Sequence, residues 1–201
     1  MLATAGVPLE STLFLHHTGL SVAKILLLYH GVYGQTRRIC ERLQTDLANR
    51  GHRVEIAAVT DAAVDPAAYD VIVIGASIRN GKHNPAVLDF IRAHRALLDS
   101  RPSGFFSVNL VARKPAKNTA ETNPYVRAFI AKSPWKPRLV GVFGGNLDYQ
   151  RYGAMDRNII RFIMWMTKGP TDPATKVEFT DWNEVHRFAD RIAVLAGGSP
   201  P

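Results

Sequence analysis

Residues 30–36, His-Gly-Val-Tyr-Gly-Gln-Thr, combine two glycines with hydrogen-bond donors immediately before a helical pattern. The backbone N–H groups of a tight glycine turn and a helix N-terminus bind an anion without a basic side chain. Because no lysine precedes Thr36, the segment is neither a Gly-x-Gly-x-x-Gly motif nor a Gly-x-x-x-x-Gly-Lys-[Ser/Thr] loop. It indicates a site for one terminal phosphate, or else an ordinary turn with Thr36 as the helix cap. The candidate residues are Gly31, Val32, Tyr33, Gly34, Gln35 and Thr36.

A second segment, residues 75–85, also follows an apolar run and carries Gly75 and Gly81 around small and polar residues. Glycines at a strand end allow a flat ligand to approach the backbone closely. Arg79 lies between them and is suited to hold a negative charge of that ligand. The alternative is a solvated connecting loop with incidental basic residues.

A third segment, residues 107–117, places Arg113, Lys114 and Lys117 within five positions. Cations at a ligand-bearing edge are suited to bind carboxylates. Solvated loop charges explain the same pattern, so both interpretations stay open.

A fourth segment, residues 146–170, does not fit the repeating pattern of the chain. Between Met155 and Met166 it is apolar nearly all round, with Arg157 and Arg161 interrupting the run and Trp165 near its end. Such a helix is typical of an interfacial membrane helix. It also suits contact with an apolar ligand, or packing on the core or on a second subunit.

Alternating strands and helices must position these segments. Apolar runs predict strands at 25–29, 54–58, 71–75, 105–108 and 139–143. Helices are predicted at 36–51, 85–98, 125–130 and 182–195. This alternation favours an α/β fold in which a parallel sheet is covered by helices on both faces. Ligands of such sheets bind beyond the carboxyl ends of the strands, where the first three segments lie.

Composition narrows the class of protein. The chain has 201 residues and a formal net charge of +8, from 25 Lys and Arg against 17 Asp and Glu. This surplus of positive charge favours an anionic partner, which is a nucleic acid, an acidic lipid or a small molecule that carries a carboxylate or a phosphate. A single cysteine, Cys40, excludes an internal disulfide and a multi-cysteine metal cage, and no metal is predicted.

Domain organisation follows from where the pattern starts and stops. We expect residues 1–23 to form a disordered extension that is not a signal peptide, because it lacks a basic start and an adequate apolar run. Residues 24–196 are expected to form one domain, with an insertion at about 146–170, and residues 197–201 a tail. No stretch approaches the ~18 apolar residues of a membrane span.

Several short motifs resemble one family, the flavodoxin-like, quinone-dependent protoporphyrinogen oxidases of bacteria. The resemblance runs from Lys24 to about Leu195, and its most specific part is Ser-Val-Asn-Leu-Val-Ala-Arg-Lys-Pro at 107–115. The other matching motifs are Gly34-Gln35-Thr36-Arg37, Ile74-Gly75-Ala76-Ser77-Ile78-Arg79, Arg151-Tyr152, Asp156-Arg157 and Thr180-Asp181-Trp182.

The resemblance implies a doubly wound five-stranded parallel sheet of order 2-1-3-4-5, a long-chain insertion after the fifth strand, and non-covalently bound FMN. By position, residues 31–36 would hold the FMN phosphate. Flavodoxin-type loops usually carry a hydroxyl residue in place of Gly31 and often of Tyr33, so we expect weaker phosphate binding, by about 1 kcal/mol per missing hydrogen bond. The ring of FMN would lie against Ser77, Ile78, Arg79, Ser107, Val108, Asn109, Gly144 and Gly145.

The implied activity is oxidation of protoporphyrinogen IX to protoporphyrin IX in haem biosynthesis, with menaquinone or ubiquinone as electron acceptor. The implied location is peripheral, at an anionic membrane on the cytoplasmic face of the inner membrane, and a homo-oligomer stays possible. Candidate substrate contacts are Arg113, Lys114 and Arg151. The sequence assigns no catalytic residue.

Two other functions remain open at this point. A flavodoxin-type NAD(P)H:quinone oxidoreductase is compatible with the sequence, since nicotinamide sites often lack a motif. An electron-carrier flavodoxin is disfavoured, because those carriers are typically acidic and this chain is basic. Nucleic-acid binding is not expected, because the basic residues are spread over the chain without a recognisable reader module.

Overall fold

The computed structural model describes residues 22–197 of the chain. The predicted extension at 1–23 lies outside the described residues apart from Val22 and Ala23, and the predicted tail does so apart from Gly197. Ala23 is buried. Its N–H donates to Nδ1 of His52 over 3.3 Å and its carbonyl accepts from the N–H of Arg53. Packing against the domain therefore begins just before the first strand.

A parallel sheet forms the centre of the molecule. Its strands are β1 (Lys24–His30), β2 (Arg53–Ala58), β3 (Val71–Arg79), β5 (Ser103–Asn109) and β6 (Leu139–Gly144), and the two-residue strand β4 (Lys82–His83) pairs antiparallel with the end of β3. The parallel strands lie in the order β2-β1-β3-β5-β6. This confirms the predicted order, and within this sheet β4 is the strand that the sequence did not predict.

Helices cover both faces of the sheet. In chain order they are α1 (Gln35–Ala48), α2 (Pro85–Ala93), α3 (Arg95–Ser100), α4 (Pro124–Lys132), α5 (Ala154–Met166) and α6 (Trp182–Leu195). Because side chains of a strand alternate between faces, Ile25 and Leu27 of β1 pack with α1 and α6, whereas Leu26 and Leu28 pack with α2 to α4. All four are buried, as a doubly covered parallel strand requires.

Two predicted helix boundaries were wrong. Gly34 is the N-cap of α1, with a left-handed φ of +86°, and Thr36 lies inside the first turn instead of capping it. Glycine adopts that backbone conformation without the steric cost of a side chain, so the turn ends at residue 34. The single helix predicted at 85–98 is divided into α2 and α3 at His94.

The segment between β6 and α6 forms a subassembly of its own. It contains β7 (Asn146–Asp148), a 3₁₀ turn (Tyr149–Arg151), α5 and β8 (Lys176–Glu178), and β7 pairs antiparallel with β8 as a second sheet. Its small core is built from Leu147, Tyr149, Tyr152 and Met164. Within residues 22–197, no helix is long and apolar enough to cross a membrane.

Candidate active site

A cavity of about 120 Å³ lies at the carboxyl ends of β1, β3 and β5, beneath α5. The turn before α1 contributes Tyr33, Gln35 and Thr36 to its wall. The ends of β3 and β5 and the turn after β6 contribute Ser77, Ile78, Arg79, Val108, Asn109 and Gly145. The residues predicted from four separate strand ends, those of β1, β3, β5 and β6, thus meet at one site.

The turn between β1 and α1 is shaped around the Thr36 hydroxyl. Thr36 is buried, and its Oγ1 has no hydrogen-bond partner within residues 22–197. A Cβ atom at Gly31 would come within 2.6 Å of this oxygen. With the Thr36 side chain in this position, a side chain at position 31 would collide with the hydroxyl. An orphaned donor at a helix N-terminus fits a phosphate oxygen.

Gln35 has a structural role in this turn. Its side-chain amide donates to Glu178 over 2.7 Å and to Thr180 over 2.8 Å. The Thr180 hydroxyl in turn donates to the carbonyl of Gly144 over 2.7 Å. The amide group thus ties the start of α1 to β8 and to the end of β6, and its predicted role as a phosphate donor stays a prediction.

The end of β3 is connected to α5 by a charged hydrogen-bonded group. Oδ2 of Asp156 accepts from the Tyr33 hydroxyl and, over 2.8 Å, from Nη2 of Arg79. The bond from Tyr33 and the adjacent Arg79 guanidinium lower the pKa of Asp156. Burial and the bond to Asp156 raise the pKa of Tyr33 to about 12. Asp156 is therefore a carboxylate and Tyr33 a neutral phenol at neutral pH.

A buried polar network holds the end of β5. Nε2 of His83 lies 3.0 Å from Oγ of Ser107, which accepts from the Asn109 amide over 3.1 Å. Oδ1 of Asn109 accepts from the N–H of Ala112 and from the Asn123 amide. Burial lowers the pKa of His83 to about 4, so its imidazole is neutral. The network fixes the backbone around Val108 that forms the cavity wall.

The remaining predicted ligand residues do not line the cavity. Gly31, Val32, Gly34 and Ser107 are not among the residues that line the cavity, and their contact with a cofactor stays a prediction. At Gly144 a Cβ atom would overlap the carbonyl of Phe179, so this glycine is required by packing.

The predicted substrate contacts also lie outside the cavity wall. Arg113 donates through Nη1 to the carbonyl of Leu110 over 2.8 Å and through Nη2 to the Thr167 hydroxyl over 2.7 Å. It therefore ties the loop after β5 to the end of α5. Lys114 is partly buried and Arg151 is exposed. Their predicted binding of substrate carboxylates stays a prediction.

Sequence reasoning missed the residues that the insertion contributes to the cavity. These are Tyr152, Asp156, Ile159, Ile160 and Ile163, and α4 adds Tyr125. Isoleucines at 159, 160 and 163 have helical spacing, but α5 is apolar on both sides, so the pattern did not separate the inner face from the outer one. Within the described residues, no group of three or more His, Cys, Asp and Glu is arranged to hold a metal ion.

Comparison with known proteins identifies the family. Residues 26–174 match the flavodoxin domain family, Flavodoxin_5. A protein of Escherichia coli K12 named protoporphyrinogen IX dehydrogenase [quinone] is 44% identical over 174 residues, covering 86% of this chain and 96% of that protein. One of the same name from Leishmania major is 42% identical over 180 residues, covering 89% of this chain and 78% of its own length. The chain belongs to this family of flavodoxin-like protoporphyrinogen IX dehydrogenases.

Solved flavodoxins show a more distant likeness. A flavodoxin from the domain Archaea is 14% identical, with a TM-score of 0.49, covering 87% of this chain and 99% of that one. A flavodoxin 2 from Bacillus cereus is 16% identical, with a TM-score of 0.48. The fold assignment rests on the strand order and on the family match. Because the matched family is the flavodoxin domain, this protoporphyrinogen IX dehydrogenase is a flavin-binding protein.

Proposed function

We propose that this chain oxidises protoporphyrinogen IX to protoporphyrin IX, with FMN as its flavin and a membrane quinone as electron acceptor. The observation that carries the proposal is the 44% identity to the Escherichia coli K12 protein over 96% of that protein's length. The match covers 86% of this chain, so it extends far beyond a single motif.

The residues around the start of α1 fit FMN better than a flavin without phosphate. The buried Oγ1 of Thr36 lacks a partner within the described residues. Gly34 adopts a left-handed conformation at the N-cap of α1, and the first N–H groups of a helix have no partner within it. Thr36 and the N–H groups of residues 34–36 would hold the phosphate. When bound, FMN supplies the two-electron redox chemistry that no side chain can perform.

The cavity wall suits the two other reactants. Its isoleucines, its tyrosines and Leu110 give an apolar surface for a tetrapyrrole or for a quinone ring. Residues of α5 form one side of this space and so limit the surface through which water reaches it. The hydrogen bonds of Asp156 to Tyr33 and Arg79 hold α5 in that position.

The outer face of α5 supports a peripheral membrane location. Met155, Phe162, Trp165 and Met166 are exposed there, with Phe162 and Trp165 at 59% and 69%. Arg157 and Arg161 lie on the same helix. Apolar residues flanked by cations on one helix suit the interface of an anionic membrane, where quinone is dissolved. We propose the cytoplasmic face of the inner membrane as this location.

The decisive experiment is an anaerobic fluorescence assay with FMN-loaded protein. Protoporphyrinogen IX is mixed with the protein in the presence and absence of a menaquinone analogue, and porphyrin fluorescence is recorded. We expect fluorescence to rise only when quinone is present. No quinone-dependent rise with FMN bound would overturn the proposal, and a screen with NADH and NADPH would then test the quinone reductase alternative.

A further inference from the structure

Arg79 is the basic residue of the cavity wall within the described part of the chain. Its neighbours in the wall include Ile78, Tyr125 and Leu110, which present apolar or aromatic surface. A cation in such a wall suits a flat apolar ligand that carries an anionic group, because the charge adds orientation to the apolar contact.

The Arg79 guanidinium has unused hydrogen-bonding capacity. It carries five N–H donors, and within residues 22–197 one of them is bonded, through Nη2, to Oδ2 of Asp156 at 2.8 Å. The side chain is 53% exposed, although it lies at the cavity. The pair with Asp156 fixes one edge of the guanidinium and leaves the other edge for a second carboxylate.

The charge of Asp156 also affects how strongly Arg79 attracts an anionic ligand. Its carboxylate lies beside the guanidinium and accepts from Tyr33 as well. A negative charge in this position weakens the attraction of Arg79 for another carboxylate, because like charges repel at short distance. Removing the charge from Asp156 should therefore strengthen binding of an anionic ligand, whereas removing it from Arg79 should weaken it.

We propose that Arg79 is the specificity-determining residue for a carboxylate of the substrate, and that Asp156 sets its affinity. The inference rests on the proposed function, which supplies a tetrapyrrole with two propionate carboxylates. It goes further by assigning the binding of a propionate to the free edge of the Arg79 guanidinium, and not to the basic residues at 113, 114 and 151.

The test compares a porphyrin with free carboxylates and the ester in which both carboxylates are blocked. Protoporphyrin IX and its dimethyl ester are titrated in the same detergent into FMN-loaded protein, and binding is followed by porphyrin absorbance. Arg79→Gln should weaken binding of the free acid by about tenfold to a hundredfold, the range of a charge-assisted hydrogen bond, and leave binding of the ester unchanged. Asp156→Asn should strengthen binding of the free acid by roughly two- to fivefold, again without effect on binding of the ester.

Matched controls come from a similar ion pair outside the cavity. Arg92 and Asp89 on α2 form a salt bridge of 2.9 Å, and both are exposed. Arg92→Gln and Asp89→Asn make the same changes in net charge as the test variants. We expect neither to alter binding of either ligand, so a general effect of net charge would be recognised.

The possible failures are distinguishable. If Arg79→Gln weakens acid and ester equally, its role is structural, and the inference is overturned while the proposed function stands. If that variant releases FMN instead, measured by the recovery of flavin fluorescence, Arg79 belongs to the cofactor site and the inference is overturned as well. If neither porphyrin binds the parent protein, the inference is overturned, and the anaerobic fluorescence assay decides the proposed function separately.

Discussion

Thr36 is the residue whose surroundings most need an explanation. A buried hydroxyl without a partner costs free energy, typically about 1–3 kcal/mol, and Thr36 Oγ1 is such an atom within the described residues. The absence of a side chain at Gly31 keeps the space beside this hydroxyl open. A site that retains an unfavourable group in the free protein is consistent with a ligand that satisfies the group on binding.

Thr36→Val should separate phosphate binding from ring binding. Valine has nearly the same shape but lacks the hydroxyl, so we expect FMN to bind roughly tenfold more weakly, the loss of one hydrogen bond to a charged acceptor. Riboflavin, which lacks the phosphate, should bind equally to variant and parent. Quenching of flavin fluorescence measures both dissociation constants.

Thr36→Ser keeps the hydroxyl and serves as the control, with FMN affinity expected close to that of the parent protein. The free protein should not be destabilised by Thr36→Val, because the lost hydroxyl makes no bond within the described residues. Equal weakening of FMN and riboflavin would show that the variant disturbs the whole turn, and the assignment of Thr36 to the phosphate would then be wrong.

At the scale of elements, the sheet could be predicted from sequence and the role of α5 could not. Runs such as Ile25 to Leu28 are apolar at every position, and such a pattern is typical of a strand that is buried on both faces. In α5 the inner Ile160 and the outer Phe162 are both apolar, so its polar residues do not mark the whole of the exposed side.

Long-range polar contacts escaped prediction for a related reason. Asp156 and Arg79 lie 77 positions apart in the chain. No local pattern connects them, because their contact depends on how α5 packs over the end of β3. The turn at 30–36 could be predicted as an anion site because its donors are adjacent in sequence, but the Gln35 amide bonds to Glu178 across the fold.

The contact of Asp156 with Tyr33 and Arg79 predicts how the docking of α5 depends on pH. Both partners lower the pKa of Asp156 in the folded protein below its ordinary value of 3.8. The contribution of the carboxylate to stability is therefore complete above that ordinary value and is lost as the pH falls through the lower folded-state pKa. We expect Asp156→Asn to reduce the free energy of unfolding by about 1 kcal/mol at pH 7, a modest value because Arg79 is half exposed.

Urea unfolding of parent and variant between pH 7 and pH 3 measures this dependence. The difference in free energy should stay constant down to about pH 5 and shrink in more acidic solution. Asp89→Asn, in an exposed pair on α2, provides the control and should show little difference at any pH. A difference that persists unchanged at pH 3 would mean that Asp156 stabilises α5 by packing and not by its charge.

For the whole molecule, the net charge of +8 and the outer face of α5 act together in the proposed membrane contact. The net charge attracts the protein to an anionic surface, but salt weakens this attraction. Apolar side chains that enter the interface keep the protein bound there. Trp165→Asp should therefore weaken binding to vesicles that contain anionic lipid by roughly tenfold. Cosedimentation with vesicles at two salt concentrations measures both contributions.

Val194→Asp is the matched control, since Val194 is an exposed apolar residue on α6, away from the cavity. Both variants change the net charge equally, so only an effect of position separates them. We expect Val194→Asp to bind vesicles nearly as the parent does, and Trp165→Asp to lose turnover with membrane quinone while it keeps turnover with a water-soluble quinone.

If the two variants bind alike, α5 does not enter the membrane, and its exposed side chains must be covered by another surface. If binding of the parent protein disappears completely at high salt, charge alone carries the attraction, and the apolar face of α5 plays no part in it.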